Sequence, residues 1–364
     1  MSSLWIRKEK DYPSKDKKFM SELMCIKSTW SVTSLMEIGV PRTHTQKASA
    51  KELFEFLNRH YPEAEYYAAY EAGFSGFSTY YELKKLGINC IVVNPADIPT
   101  TQYESVMKTD AVDSVKIAKA LRSNQLRGIY IRDVENLDDR SVVRLRKTIR
   151  IDVATYKIRV KHMLLSNGVE LPQQFEKTTY WSKAYIKWLR EDVTLMSSTR
   201  VSLDLLIDQV ETIRENLLKA TLDVRRMSQS AKYKERYDLL HSIPGLGPLT
   251  IMTILTEIYD IKRFHNERQF ASYLGLVPTC HSSGDKIVHG EKTFRGNKKI
   301  GPELIEASWT AIYRDEGLSL AFCNYRRRGQ TPQEAIVRIA RKLSNIIYSV
   351  LKNGHKYTPY MSAS

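Results

Sequence analysis

The sequence predicts an α/β domain, then a long helical connector, then a mainly helical C-terminal domain. Three features give this order. Strand-like apolar runs alternate with helical periods over residues 30–121. From Leu203 to Met227, apolar residues recur at alternating steps of three and four. Residues 233–352 then repeat a helical apolar period around a Pro/Gly-rich turn.

The elements follow in chain order. Residues 1–22 are charged and lack a clear period, whereas Trp30–Leu35 alternates as a strand does. A helix is expected over 48–60, with Leu53, Phe56 and Leu57 on one face. Tyr66–Tyr70 reads as a buried strand ending at Glu71, and Phe77–Leu86 as a helix stopped by Gly87. Asn89–Val93 is a further strand, closed by Asn94-Pro95, and a helix follows from Asp110 to Leu121. Residues 134–168 turn helical and basic, with Arg140, Arg144, Arg146, Lys147, Arg150, Lys157, Arg159 and Lys161. The seam Leu203, Leu206, Val210, Ile213, Leu217, Ala220, Val224 and Met227 has coiled-coil spacing. One amphipathic helix packed inside its own subunit, or paired with the 134–168 helix, has the same pattern.

Farther on, Ile243-Pro-Gly-Leu-Gly247 lies between the apolar runs Leu239-Leu240 and Ile251–Leu255. Pro244 and Gly245 end the first helix, and Gly247 precedes a second helix whose first N–H groups suit a phosphate. This is the pattern of a helix-hairpin-helix; an ordinary turn between packed helices reads the same way. Ser282-Ser283-Gly284 follows in a polar loop after Gly275-Leu-Val-Pro278, and Arg295-Gly296-Asn297 comes next. Tyr325–Gly329 reads as a basic turn before a last helix carrying Ile336, Ile339, Leu343, Ile347 and Val350.

With 364 residues, 42% hydrophobic, the chain can build two or three cores. Its net charge of +15 favours a polyanionic partner such as nucleic acid. Cys25, Cys90, Cys280 and Cys323 are far apart and form no metal-ligand or redox pair, which suits a reducing cytoplasm. No apolar run approaches the ~20 residues of a membrane span, and no signal core opens the sequence. The expectation is a cytoplasmic protein without a membrane partner.

The candidate chemistry rests on acids and a serine. Asp110 and Asp113, three apart at a helix start, face the same way. Like charges so placed call for a cation, and oxygen ligands suit Mg²⁺. Glu71 stands at a strand end, where α/β folds place their sites. By themselves, Asp110 and Asp113 read first as N-capping and solvation of a helix terminus, and only second as a metal site. Ser283 before Gly284 has the setting of a loop nucleophile, though such a loop is usually a turn. Lys292 and Arg295 are placed to neutralise phosphate charge, or are plain surface charge.

Taken in order, Tyr70-Glu71-Ala-Gly73, Lys108-Thr-Asp110-Ala-Val-Asp113, Ile243–Gly247, Gly275–Pro278, Ser282–Gly284 and Arg295–Asn297 carry a resemblance over about residues 27–350. They resemble the insertion-sequence transposases of the group that includes the Piv invertase, the DEDD-type serine recombinases. The resemblance implies a RuvC-like (RNase H-like) α/β domain over 27–130, a helical coiled-coil connector over 131–232, and a helix-hairpin-helix and serine domain over 233–354, with a tail at 355–364. It implies Mg²⁺ at four acids, three matched by Glu71, Asp110 and Asp113, and a nucleophile at Ser283. Pro244, Gly245, Gly247, Gly284, Lys292, Arg295 and Asn297 are the matching candidates for DNA contact. DNA, a structured non-coding RNA, and homodimers or homotetramers with shared active sites are the implied partners.

The fourth acid is missing. The family's first strand resembles Gly-Ile-Asp-Val-His-Lys, and this chain reads Glu22-Leu-Met-Cys-Ile-Lys27, with Met24 at the aspartate. Codons GAA TTG ATG TGC ATA AAA give the observed residues; shifted by one nucleotide, GGA ATT GAT GTG CAT AAA gives the family's. Residues 1–26 are therefore expected to be out-of-frame translation or to follow a wrong start, leaving a recombinase impaired in the form given. A RuvC-like nuclease or junction resolvase and a non-catalytic nucleic-acid-binding remnant are the alternatives.

Overall fold

The computed structural model describes residues 29–35, 40–73, 76–102, 109–176, 181–283, 286–292 and 296–359. Met24 and the whole expected N-terminal segment 1–26 lie outside the described residues. The chain is a mixed α/β protein, largely helical with small sheets, and divides into two compact units, Met1–Ile131 and Arg132–Ser364.

In the first unit, β1 (Thr29–Ser34) pairs antiparallel with β2 (Arg42–Lys47), from Thr29 opposite Lys47 to Ser34 opposite Arg42. Helix α1 (Ala50–His60) starts at Ser49, whose hydroxyl accepts from the Glu52 N–H, and buries Leu53 and Leu57. Strand β3 (Tyr67–Glu71), helix α2 (Ser78–Lys85) and strand β4 (Asn89–Val93) form a parallel crossover, Tyr67 opposite Asn89 and Glu71 opposite Val93. Gly87, at φ +79°, makes the left-handed turn from α2 into β4. Helix α3 (Asp110–Arg122) closes the unit.

The pleat of β3 divides its side chains between two cores. Ala68 and Tyr70 join Trp30, Val32, Leu53, Leu57, Leu83 and Val92, while Ala69 joins Leu35, Val93, Ile98, Ile117 and Leu121. Among the described residues β1 and β3 belong to separate two-stranded pairings, and both are buried in their middle residues.

The second unit opens with α4 (Val134–Ser166), α5 (Lys183–Glu191) and α6 (Ser197–Ser228). The expected seam on α6 is used inside the chain. Val224 shares a cluster with Val143, and Leu203, Ile207 and Val210 share another with Val160 and Leu164, so α4 and α6 run antiparallel against each other. Ile207 replaces Leu206 as the buried residue of its turn, because the straight helix has 3.6 residues per turn and not 3.5. Arg146 Nε donates to Thr221 Oγ1 at 3.0 Å across the pair.

Helices α7 (Lys234–His241), α8 (Pro248–Ile258), α9 (Glu267–Tyr273), α10 (Ile300–Ala311), α11 (Glu316–Arg327) and α12 (Pro332–Asn353) pack around one core. α8 is its centre, with every residue from Ile251 to Ile258 buried. α12 has a Thr331/Glu334 capping box, Pro332 in its first turn and Gly354 at φ +71° after its last. Tyr325, Arg326 and Arg327, expected in a turn, are the final residues of α11; the turn is made at Gly329, φ +83°. The expected polar serine loop is a hairpin, β5 (Pro278–Ser283) against β6 (Lys286–Lys292).

Candidate functional site

The acidic candidates belong to the first unit. Glu71 ends β3 and is half-buried, and the Ala72 N–H donates to Val93 O beside it. Thr109 caps α3 by accepting from the Val112 N–H, which puts Asp110 and Asp113 on its first turn. Asp110 is placed by its backbone only. Asp113 is buried, and Lys116 Nζ lies 2.6 Å from its Oδ1, both side chains little exposed. The charge that the carboxylate needs nearby is thus supplied by a lysine one turn on. Thr33 Oγ1 and Ser114 Oγ, 2.6 Å apart, tie α3 to β1.

Among the described residues no group of three His, Cys, Asp or Glu side chains is placed to hold a metal ion. The oxygen chemistry of Glu71 and Asp113 suits Mg²⁺. One Asp113 oxygen is engaged with Lys116 and would have to exchange that partner for the metal.

The serine candidate belongs to the second unit. Ser283 ends β5 opposite Lys286, and Lys292 ends β6 opposite Pro278 at the other end of the hairpin. Gly284 and Arg295 lie outside the described residues. The base of the hairpin is fixed by two glycines of the two motifs. A Cβ on Gly296 would collide with the N and Cα of Gly275, and Gly275 itself takes the left-handed φ of +68° that favours glycine.

Asn297 extends this junction inward. Its N–H donates to Tyr273 O at 2.6 Å, and its Nδ2 donates to Tyr273 Oη at 2.9 Å and towards Glu257 Oε2 at 3.4 Å. Its Oδ1 accepts from the Lys299 and Ile300 N–H groups and so starts α10. The Asn297 side chain is therefore engaged within the protein, although the residue was expected to contact DNA.

Glu257 was not legible as a site residue. It is the one acid in the apolar run of α8, and its side chain is 2% exposed. Arg144 of α4 clamps it with Nε to Oε1 at 2.6 Å and Nη2 to Oε2 at 2.9 Å. Burial works against its charge, but the Arg144 fork, with Arg140 and Arg132 nearby, overcomes this and holds the carboxyl below its ordinary value. Tyr273 Oη and an Arg132 Nη2 both donate to the Glu257 backbone oxygen. Lys147, one turn along α4, donates to Lys299 O and pairs with Glu303 at 2.9 Å. The signal in the sequence was a lone acid in an apolar helix beside an arginine-rich one; a buried charge needs a partner.

The candidate turn between α7 and α8 uses its two glycines differently. Gly245, at φ +87°, faces inward, and a Cβ there would lie 2.5 Å from Ala307 O and 2.9 Å from the Ala311 Cβ. Gly247 is exposed, has open space around it, and caps α8 with Pro248 in the first helical position. Pro244 is half-buried between them. No described helix is long and apolar enough to cross a membrane.

Residues 237–322 match the pattern described as the Transposase IS116/IS110/IS902 family, and residues 35–167 match a further pattern described as Transposase, the DEDD type of IS110. The transposase for insertion sequence element IS1533 of Leptospira borgpetersenii is 30% identical over 79% of this chain and 82% of its own length. The putative transposase y4qE of Sinorhizobium fredii is 26% identical over 80% of this chain and 77% of its own length. The pilin gene-inverting protein of Moraxella bovis is 33% identical over 34% of this chain and 38% of its own length.

Proposed function

Since the chain belongs to the IS116/IS110/IS902 transposase family, we propose that it recombines DNA through a serine nucleophile, Ser283. The serine oxygen attacks a phosphodiester, and the proton it gives up passes to the departing sugar oxygen. One phosphoester bond forms as another breaks, so the energy of the linkage is kept for rejoining to a second strand. Glu71, Asp110 and Asp113 would hold Mg²⁺, which would supply charge neutralisation at the phosphate. The observation that carries this reading is the junction at the base of the Ser283 hairpin: Gly275 and Gly296 cross there, and Asn297 ties the crossing to Tyr273 and to Glu257 of the buried helix α8.

The turn Pro244–Gly247, as a helix-hairpin-helix, Gly284 next to the serine, and Lys292 and Arg295 towards the base of the hairpin serve DNA contact. Arg295 neutralises phosphate along the strand, and Asn297 acts by setting the course of the chain at that base. A structured RNA that selects the DNA, and a second or fourth copy of the chain, complete the assembly. Exposed apolar residues on the outer side of the α4–α6 pair support self-association: Ile151, Ile158 and Leu165 at heptad spacing, with Leu218 and Leu222. With Met24 in place of the first acid, the metal site is one ligand short, and the chain is impaired as it stands.

The test uses a chain with Gly-Ile-Asp-Val-His ahead of Lys27 in place of residues 1–26, its RNA and its DNA. Ser283→Ala should abolish both the covalent protein–DNA adduct and recombination, and leave nucleic-acid binding near the parent's. Normal recombination by that variant rules the nucleophile out. A protein that cuts DNA without any adduct would instead be a nuclease using water.

A further inference from the structure

Arg140 is a mostly buried cation with no hydrogen bond to any described residue. Its side chain is 13% exposed, and its closest carboxylate oxygen, Glu257 Oε2, stands 3.7 Å from Nη1, beyond hydrogen-bond reach. A guanidinium carries five N–H donors, and those of Arg140 are not spent on a described residue. Glu257 cannot serve it better, because Arg144 already holds both carboxylate oxygens and Asn297 approaches the same Oε2. Around this carboxylate the described cations outnumber the anion. Burial, with the nearby Arg132 and Arg144 charges, pushes the Arg140 pKa down to about 10, so the group is still a cation at neutral pH. A held cation whose donors are unspent is a place for an anion.

The surroundings say which anion. Asn297, on the same carboxylate oxygen, is two residues beyond Arg295 and at the foot of the hairpin that ends in Ser283. Arg144 is partly exposed and has its Nη1 clear of Glu257. Farther along α4, Arg146 lies near Arg150 and Arg225 of α6; burial and their repulsion lower its pKa against the opposing pull of Glu303, which is itself paired with Lys147. A run of cations leading from the foot of the hairpin along one helix fits a chain of phosphates better than one isolated ion.

We propose that Arg140, with Arg144 as second donor, binds a non-bridging phosphate oxygen of the DNA strand delivered to the Ser283 hairpin. Glu257 then has a double role: it holds Arg144 and Asn297 in place, and it keeps the cations together until the phosphate arrives. The inference rests on the recombinase reading above.

The experiment measures binding of the full chain to a fluorescein-labelled DNA duplex carrying the element's end, over a salt series, with folding followed by circular dichroism. Arg140→Gln should flatten the slope of log K against log salt by about 0.9, one phosphate contact, and weaken binding about three- to tenfold at about 0.15 M salt. Arg140→Lys should keep the slope, since the charge remains, and weaken binding about threefold, since the fork is lost. Lys187→Gln, an exposed change on α5, should do neither. If Arg140→Gln does not fold, Arg140→Lys decides, and parental affinity in that variant overturns the site. A parent that binds DNA while Arg140→Gln behaves as Lys187→Gln does overturns the phosphate site and leaves the recombinase reading standing. A parent that binds no DNA, with or without its RNA, overturns both. Loss confined to a labelled structured RNA, with DNA binding unchanged, assigns the site to RNA and refutes the proposal as made.

Discussion

Gly245→Ala should destabilise the second unit by about 3 kcal/mol, and Gly247→Ala by almost nothing. Two costs add at Gly245. Its φ of +87° is in the left-handed region, where a Cβ costs roughly 1–2 kcal/mol. The new methyl would also stand 2.5 Å from the Ala307 oxygen and 2.9 Å from the Ala311 nitrogen and Cβ, and both belong to the neighbouring helix α10. Relieving such overpacking costs roughly 1–3 kcal/mol. At Gly247, φ is −84°, no atom lies within 4 Å of the added Cβ, and the loss of a capping glycine is offset by reduced freedom in the unfolded chain. For a unit of this size about 2–4 °C accompanies each kcal/mol, so Gly245→Ala should lower Tm by roughly 6–12 °C. Differential scanning calorimetry of the full chain reads this on the transition of the second unit. Melting of both variants at the parental temperature, or equal losses in both, would refute the assignment of Gly245 to the core and Gly247 to the surface. The contrast also makes Gly247→Ala, and larger changes there, the cleaner probes of DNA contact at this turn.

Other outcomes follow from the same geometry. Lys116→Met removes the ammonium 2.6 Å from Asp113 Oδ1 and should tighten Mg²⁺ binding about tenfold, about 1.4 kcal/mol, by isothermal titration; an unchanged Kd means that Asp113 is not a ligand. The folded Glu257 carboxyl lies below its ordinary value, so the stability it contributes is fully present above about pH 4.3 and is lost as pH falls through the lowered folded value. The second unit's Tm should therefore be flat from about pH 7 to 5 and fall below about 4, and Glu257→Gln should blunt that fall while lowering Tm throughout. Ile158→Asp with Leu165→Asp, both on the exposed side of α4, should reduce the mass seen by light scattering to that of one chain with helicity retained. Leu203→Asp, on the buried side, should instead cost helicity, because breaking the internal pair destabilises it by several kcal/mol.

The first unit was largely legible because its elements announce themselves locally. Trp30–Ser34, Tyr67–Glu71 and Asn89–Val93 are short β-branched and aromatic runs, and Gly87 marks the turn that its φ of +79° requires. β2 was missed: Arg-Thr-His-Thr-Gln-Lys has no large apolar residue, is mostly exposed, and is a strand only through its partner β1. The serine hairpin was read as a loop, although Gly284-Asp285 between two alternating runs is the sequence of a two-residue hairpin turn. On α6 the apolar period was visible but its partner was not, since Leu203, Val210 and Val224 fit a neighbour in the same chain as well as one in another. Asn297 and Glu257 show a further limit. Sequence spacing places Asn297 near a serine, but only the fold brings it, Tyr273 and Glu257 to one point across 40 residues of chain.

The Gly275–Gly296 crossing has a bearing on how this region tolerates change. Because Gly275 and Gly296 meet at one pinched point, the stretch of about 20 residues between them is a loop closed at its neck, entered through Leu276 in the core. Its contribution to the folding entropy grows only logarithmically, by about 0.6 kcal/mol for each doubling of length. Changes of length beyond Leu276, which is part of the core with α8, α10 and α12, therefore cost little closure entropy. The neck itself cannot be exchanged, since a single methyl at Gly296 collides with the backbone opposite. Insertions, tags and spectroscopic labels belong inside this loop, and an engineered disulfide meant to clamp it belongs beside the neck and not at it.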